Sequence, residues 1–214
     1  MNSTRRRAIF TAALILAAVS GCSSMQSTGG SDDSAKAGKA AAADNQLDSA
    51  QKDAKRKSLQ DMADQTVKEI LAKDPTVKEK LEKAYGYAVF DDSVYNAVLY
   101  VGGNGNGVAY VNSTKAPTYM IMLRAGTGPG VGYTKFRQLL IIANKTAYEE
   151  FTTVGLDVGA SANATFKVDD FGSSVLAAGS FNPYLHVYTI TDSGVDIQAN
   201  WGGMEYLRNT GLNE

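Results

Sequence analysis

The stretch Gln138-Leu139-Leu140-Ile141-Ile142-Ala143-Asn144 places five consecutive apolar residues between two amide side chains. A short apolar run that is bounded by polar residues is typical of a strand buried on both faces. The residues that follow, 145–151, predict a short helix. We therefore expect a buried strand at this point, and the sequence on either side of it indicates whether the rest of the domain is also a sheet.

Beyond Gly86, β-branched and aromatic residues recur in short runs that are separated by Gly, Asn, Asp and Pro. This pattern predicts a sheet-dominated domain. Turns are indicated at Asn104-Gly105 and at Asp192-Ser193-Gly194. About eight strands in one domain favour a curled, barrel-like and mainly antiparallel sheet. The other predicted strands cover residues 95–101, 107–112, 118–124, 130–136, 152–166, 173–179, 185–191 and 194–201.

Upstream of the sheet, apolar residues recur at the spacing of one helix face, with Lys, Asp and Glu on the opposite face. Asp74-Pro75 interrupts this helix and starts a shorter one, because Asp is a good N-cap and Pro suits a first helical turn. We therefore predict an α+β fold in which N-terminal amphipathic helices pack on the barrel-like sheet. The apolar positions are Leu59, Met62, Ala63, Val67, Ile70 and Leu71, followed by Val77, Leu81 and Ala84.

The first helix also carries a basic cluster formed by Lys52, Lys55, Arg56 and Lys57. Such a helix could lie on anionic lipid. Residues 46–90, however, hold nine basic and eight acidic side chains. This nearly neutral balance favours packing of the helices on the sheet over electrostatic capture by a membrane.

Glycine occupies every second position in one part of the predicted sheet. Because successive strand residues point to opposite faces, one face of this segment has no side chains. The bare face is consistent with a wall of a lipid or small-molecule groove, but a tightly curved strand at a sheet corner, or a mobile loop, is favoured. The glycine ladder consists of Gly126, Gly128, Gly130 and Gly132, and Gly103, Gly105 and Gly107 repeat the pattern.

The N-terminal segment has the organisation of a secretory signal. Three arginines at positions 5–7 precede a 12-residue apolar run, 8–19, which is too short to span a bilayer. Small residues then lead directly to Cys22, the only cysteine of the chain. This arrangement resembles the bacterial lipobox, in which the cysteine thiol receives a diacylglyceryl group, the signal is cleaved before it, and the new amino terminus is usually acylated with a chain such as palmitate.

The lipobox resemblance predicts three regions: a lipoprotein signal peptide at 1–21, a lipidated Cys22 with a disordered linker at 22–45, and a folded domain at 46–214. The linker is rich in Ser, Gly, Ala, Asp and Lys and has no aromatic residue. Two or more acyl chains on one residue suffice for stable membrane attachment. Ser23 follows the cysteine, and a residue other than aspartate at this position resembles lipoproteins that are sent to the outer membrane. We therefore expect an outer-membrane protein that faces the periplasm.

Four runs within the folded domain together form a recognisable pattern: residues 84–90, residues 102–109, the glycine ladder with Lys135-Phe136-Arg137, and residues 191–195. They resemble the SYLF domain family, also called the Ysc84 type, in its bacterial lipoprotein form. The resemblance implies phospholipid binding, as in eukaryotic members, and actin binding as in fungal ones. A periplasmic protein would have no use for actin.

Enzymes and nucleic-acid-binding proteins are disfavoured by the residue inventory. The chain has one histidine, His186, and no cysteine besides Cys22, so no catalytic pair and no metal-ligand spacing is present. Removal of residues 1–21 leaves 18 basic and 22 acidic side chains, and this acidic balance argues against nucleic acid. We expect a protein without catalytic residues, metal or cofactor.

The sequence therefore predicts a non-catalytic lipoprotein whose domain binds phospholipid. Two alternatives remain open: a protein-interaction or scaffolding module with an envelope protein partner, and a carrier that holds an apolar ligand in a barrel interior. If headgroup phosphates are bound, the basic residues beside the glycine ladder are the first candidates, followed by the helical cluster. These residues are Arg124, Lys135 and Arg137, and then Lys55, Arg56 and Lys57.

Overall fold

The computed structural model describes residues 43–157, 176–182, 184–198 and 201–214. The predicted signal peptide, Cys22 and almost all of the predicted linker lie outside these residues. In chain order, the helices and strands are α1 (Ser49–Lys73), α2 (Val77–Lys83), β1 (Gly86–Val111), β2 (Pro117–Ile142), α3 (Lys145–Thr153), β3 (Leu156–Asp157), β4 (Leu176–Asn182), β5 (Leu185–Gln198), β6 (Trp201–Arg208) and α4 (Thr210–Asn213).

Strand β2 is the centre of the sheet. One of its edges pairs with β1 over nearly the whole length of both strands, from Gly86 opposite Ile142 to Tyr110 opposite Pro117. The other edge pairs first with β6 and then with β5, which follow one another along it. Strand β4 pairs with β5, and β3 pairs with β6. All of these pairings are antiparallel.

The predicted architecture, an α+β fold with N-terminal amphipathic helices packed on a barrel-like sheet, is wrong. The described strands form one open antiparallel sheet with the path β3-β6-β2-β5-β4, and β1 lies beside β2. Closure would require the two end strands, β3 and β4, to pair with each other. The glycines that divide the sequence into many short predicted strands instead lie inside β1 and β2, which are continuous over 26 residues each.

The prediction of a strand buried on both faces is confirmed for the end of β2. Leu139 and Leu140 are fully buried, and Ile141 and Ile142 are each 1% exposed. Leu139 and Ile141 belong to a core on the side of α1, which we call the helix-side core. Leu140 and Ile142 belong to a second core on the other face, the ring core, in which the aromatic rings of Phe90, Phe151 and Tyr206 contact one another.

Helix α1 contacts one face of part of the sheet through the apolar stripe seen in the sequence. Leu59, Ala63 and Ile70 are buried in the helix-side core, and Met62, Val67 and Leu71 pack against it. The helix begins with a capping box between Asp48 and Gln51, which satisfies two backbone N–H groups. The predicted interruption at Asp74 is present, and the Asp74 side chain accepts hydrogen bonds from Thr76.

The predicted turn at Asn104-Gly105 is wrong, because both residues lie inside β1. This strand instead folds back on itself, so that the Asn112 N–H donates to the carbonyl oxygen of Tyr85 at 2.9 Å. A Cβ on Gly103 would lie 2.7 Å from the Ser93 carbonyl oxygen, and one on Gly107 would lie 2.5 Å from that of Val89. The glycines therefore allow the two ends of β1 to approach each other closely.

The predicted turn at Asp192-Ser193-Gly194 is also wrong. Lys135 pairs with Ser193 and Phe136 pairs with Thr191, so Asp192 is the extra residue of a β-bulge inside β5. The predicted strand 152–166 begins in α3, is a strand only over Leu156–Asp157, and otherwise lies outside the described residues.

Candidate functional site

An exposed apolar surface lies where β1 and β2 bend, and we call it the apolar patch. Val98, Leu99 and Val131 are 67%, 64% and 70% exposed, which is unusual for aliphatic residues of a sheet. Three tyrosines at its border are 42–47% exposed. Contiguous apolar surface of this kind commonly marks an interaction site. The complete patch comprises Tyr95, Val98, Leu99, Tyr100, Val131 and Tyr133.

The backbone of β1 directs the aliphatic residues of the patch outward. The pairing register shifts between Val98, which pairs with Gly130, and Tyr100, which pairs with Thr127, so Leu99 has no pairing partner on β2. Val98 has a φ of 63°, in the left-handed region that β-branched residues avoid. An irregularity of this kind re-aims side chains and often occurs at functional sites.

The glycine ladder lies directly opposite this irregularity, within strand β2. Gly130 pairs with Val98 and Gly132 pairs with Asn96, while Gly126 pairs with Val101. Gly128 lies in the short segment of β2 that has no pairing partner on β1. The ladder is therefore part of a paired strand rather than a mobile loop, and its glycines contribute no side chains that would cover the neighbouring residues of the patch.

The tyrosines form a polar-tipped border around the aliphatic residues. The rings of Tyr95 and Tyr100 lie 6.0 Å apart. The Tyr133 hydroxyl donates to the Ser93 Oγ at 3.3 Å. Tyrosine combines an apolar ring with a polar tip, and it is favoured where one end of the side chain is wet and the other is in an apolar environment.

Of the six predicted headgroup-binding residues, Lys135 lies nearest the apolar patch. It follows Tyr133 by two residues on β2 and is exposed, so both side chains lie on the same face of the strand. Arg124 is half-buried and pairs with Gly103 and with Met204 in the sheet register. The structure does not bring the six basic side chains together into one anion site.

Arg137 is held in a clamp between α1 and the sheet. Its guanidinium donates to both carboxylate oxygens of Asp192, at 2.8 and 2.6 Å, and to Glu69 Oε2 at 2.6 Å. A further bond reaches Thr66 Oγ1 at 3.2 Å. The two carboxylates raise the pKa of Arg137, and its hydrogen bond lowers the pKa of Glu69. Arg137 is therefore committed to joining the helix to the bulge of β5.

The helical basic residues are also engaged within the protein. Lys55 pairs with the buried Asp44 at 2.6 Å, and Lys57 pairs with Asp61 at 2.7 Å. Arg56 pairs with Asp53 and donates to the carbonyl oxygens of Leu212 and Glu214. Arg56 therefore fastens the C-terminal residues to α1.

The described residues contain no group of three or more His, Cys, Asp or Glu side chains that could hold a metal ion. The pKa of His186 is lowered by partial burial and by nearby Lys80.

A surface cavity of about 470 Å³ lies beside Tyr85, Asn112 and Lys115, away from the apolar patch. In its wall the Asn112 amide donates to the carbonyl oxygens of Leu81, in α2, and of Ala84, directly after this helix.

The apolar patch could not be predicted from the sequence, because its residues in the run 95–101 resemble those of an ordinary core strand. The available signal was the position of that run opposite a ladder of glycines, which have no side chains to cover it.

None of the helices in the described parts of the chain combines the length and the hydrophobicity that crossing a bilayer requires.

No family model matches the chain. The chain is similar to Beta cell expansion factor A of Aeromonas veronii, with 30% identity over 159 residues. The aligned region covers 74% of this chain and 59% of that relative. The chain thus spans somewhat more than half the length of the curated relative that it resembles.

Proposed function

We propose that this protein is a non-catalytic, outer-membrane lipoprotein with a SYLF-type domain that binds phospholipid bilayers through the apolar patch. The observation that carries the proposal is the exposure of Val98, Leu99 and Val131 at the bend of β1 and β2. A membrane is the partner that suits a small aliphatic surface with a tyrosine border, because its headgroup region accepts the polar tips while its acyl region accepts the aliphatic side chains.

The sequence supports a membrane location for this contact. The basic and apolar segments before Cys22 resemble a lipoprotein signal, and a diacylglyceryl group on Cys22 would hold the domain at the periplasmic face of the outer membrane. The linker of about 22 residues has a root-mean-square reach of roughly 25 Å, which keeps the patch close to the same bilayer.

The charges around the patch indicate binding through apolar contact more than through anion recognition. Lys135 is the predicted basic residue that lies beside the patch, whereas Arg137, Lys55, Arg56 and Lys57 form ion pairs within the protein. A single lysine near a membrane surface contributes about 1 kcal/mol to the attraction of anionic lipid. We therefore propose that Lys135 gives a modest preference for anionic phospholipid, and that the aliphatic residues supply most of the affinity.

Removal of the aliphatic residues of the patch is expected to weaken vesicle binding by about 10- to 100-fold, from the transfer free energy of two partly inserted side chains. The variant is Val98→Asn with Leu99→Ser, because Asn tolerates the left-handed backbone at position 98. The protein is the chain from residue 23 onward, which contains every described contact but neither the apolar signal segment nor the lipid. Flotation with phosphatidylethanolamine–phosphatidylglycerol vesicles measures the binding.

Val154→Ser is the matched control, because Val154 is 75% exposed but lies outside the patch, at the end of α3. This variant should bind vesicles as the unsubstituted protein does. Equal binding by the patch variant and the control would rule out the apolar patch as the lipid contact. If the unsubstituted protein fails to float at all, the domain is better explained as a protein-interaction module.

The carrier alternative receives no support from the described residues. The ring core, where an apolar ligand would have to lie, is filled by Phe90, Phe151, Tyr206, Met120 and Met122.

A further inference from the structure

Asp92 of β1 is a buried carboxyl group without a partner in the part of the chain that the structure describes. It is 0% exposed, and neither carboxylate oxygen has a hydrogen-bond partner among the described residues. A buried polar group without a partner costs free energy, and a buried charge costs more. Such a group requires an explanation.

The position of Asp92 connects it to the apolar patch. It lies three residues before Tyr95 on β1, and Phe136 is opposite it on β2. On the returning part of the same strand, Gly105 is so close that a Cβ would collide with Asp92 Oδ1. Asp92 therefore lies where the two parts of β1 pack against each other. The bend that joins these two parts carries the apolar patch.

The groups around Asp92 offer little support for a negative charge. Asp91 is its neighbour on β1, and β6 contributes Tyr206, whose hydroxyl donates to Gln138 Oε1 at 2.8 Å. Burial, together with the charge of Asp92, raises the pKa of Tyr206 well above its usual range, and Arg124 on β2 opposes this shift. Burial, together with the charge of Asp91, raises the pKa of Asp92 well above its usual range. Partial burial and the charge of Asp192 raise the pKa of Asp91, and Lys135 and Arg137 oppose this shift.

We infer that Asp92 is a proton-binding switch for the bend of β1: its neutral carboxyl group allows the two parts of the strand to stay packed together, and its ionisation separates them. An ionised carboxylate needs water or a donor. Because Asp92 Oδ1 occupies the space that a side chain at Gly105 would need, water can reach the carboxylate there only if the two parts of β1 move apart. Entry of water there spreads Ser93 from Gly103 and disperses the apolar patch. The effect on lipid binding rests on the proposed function of the patch.

The first test measures hydrogen exchange of residues 93–103 in the chain from residue 23 onward, at pH values from 5.5 to 9 and corrected for the intrinsic rate. The protection factor should fall at least fivefold as the pH rises. The Asp92→Asn variant, which keeps the size of the side chain and cannot ionise, should show constant protection. Asp91→Asn is the matched control: this exposed neighbouring carboxylate is removed while Asp92 can still ionise, so protection should still fall with rising pH, but at a lower pH, because one of the charges that raise the pKa of Asp92 is gone.

The second test measures binding to vesicles of phosphatidylcholine, whose headgroup charge is constant over this pH range. Affinity should fall at least fivefold with rising pH in the unsubstituted protein and stay constant in Asp92→Asn. Identical pH dependence of exchange in these two proteins, or none in either, would overturn the switch. Absence of vesicle binding at every pH would refute the patch as a lipid contact, and the exchange experiment would still decide the switch.

Discussion

Gly107→Ala is expected to lower the free energy of unfolding by about 3 kcal/mol, at the upper end of the range for overpacked cores. A Cβ at this position would lie 2.5 Å from the carbonyl oxygen of Val89 and would press against the ring of Phe90. Val89 and Phe90 are both fully buried, so neither can move without disturbing a core. Urea unfolding followed by circular dichroism measures the change.

Gly102→Ala is the matched control for this prediction. Its Cβ would meet the ring of Tyr100 and the hydroxyl end of Tyr95, which are exposed side chains that can rotate away. We expect a change of less than about 1 kcal/mol. If both alanine variants unfold at the same urea concentration, the close approach of the two parts of β1 does not determine stability.

Arg137→Met is expected to lower the free energy of unfolding by about 2 to 4 kcal/mol at pH 7. The substitution keeps most of the apolar stem of the side chain but removes the donors to Asp192 and Glu69, and the two carboxylates are then left close together. It also removes the polar link between α1 and the β5 bulge. Lys135→Met, two residues away on an exposed position, should change stability by less than about 0.5 kcal/mol.

The pH dependence of the Arg137 effect has a defined sign. Arg137 lowers the pKa of Glu69 below its ordinary value of 4.5, so this ion pair stabilises the folded state above the unfolded pKa. That stabilisation is lost as the pH falls through the lower, folded pKa. The gap in unfolding free energy between the unsubstituted protein and Arg137→Met should therefore narrow below about pH 4, and a gap that is constant from pH 7 to pH 3 would contradict the assignment.

The helices and the buried strand could be predicted because their signals are local. The spacing of Leu59, Ala63 and Ile70 identifies one helix face, and each of the three is buried where expected. The apolar run around Leu140 is long enough to require burial on both faces. Neither inference depends on how distant parts of the chain meet.

The path of the sheet could not be predicted, because glycine serves two different purposes. Gly105 was expected to form a turn with Asn104, but in the structure it makes room for Asp92 within a continuous strand. Sequence alone does not distinguish a glycine that turns the chain from one that lets another segment approach. If each glycine is interpreted as a turn, the sequence is divided into many short strands. That large number of strands is the reason for the wrong prediction of a barrel.

The contacts at the candidate site also depend on distant parts of the chain and could not be predicted from the sequence. The sequence shows that Lys135 and Arg137 lie near the glycine ladder, but it does not show that Arg137 bonds to Asp192 and Glu69, because these partners come from β5 and α1. The exposure of Leu99 depends on the shift of register opposite Thr127, which is a property of the paired strands and not of either sequence alone.

The arrangement of partners along β2 has a consequence for how the protein folds. Strands β1 and β2 are joined by a five-residue connection. In contrast, more than 40 residues separate the end of β2 from the start of β5, and β5 and β6 both pair with the other edge of β2. The contact order is therefore high, and formation of the second ladder is expected to be the slow step. Until it forms, a nascent chain presents an unpaired edge of β2 that could recruit strands from other molecules.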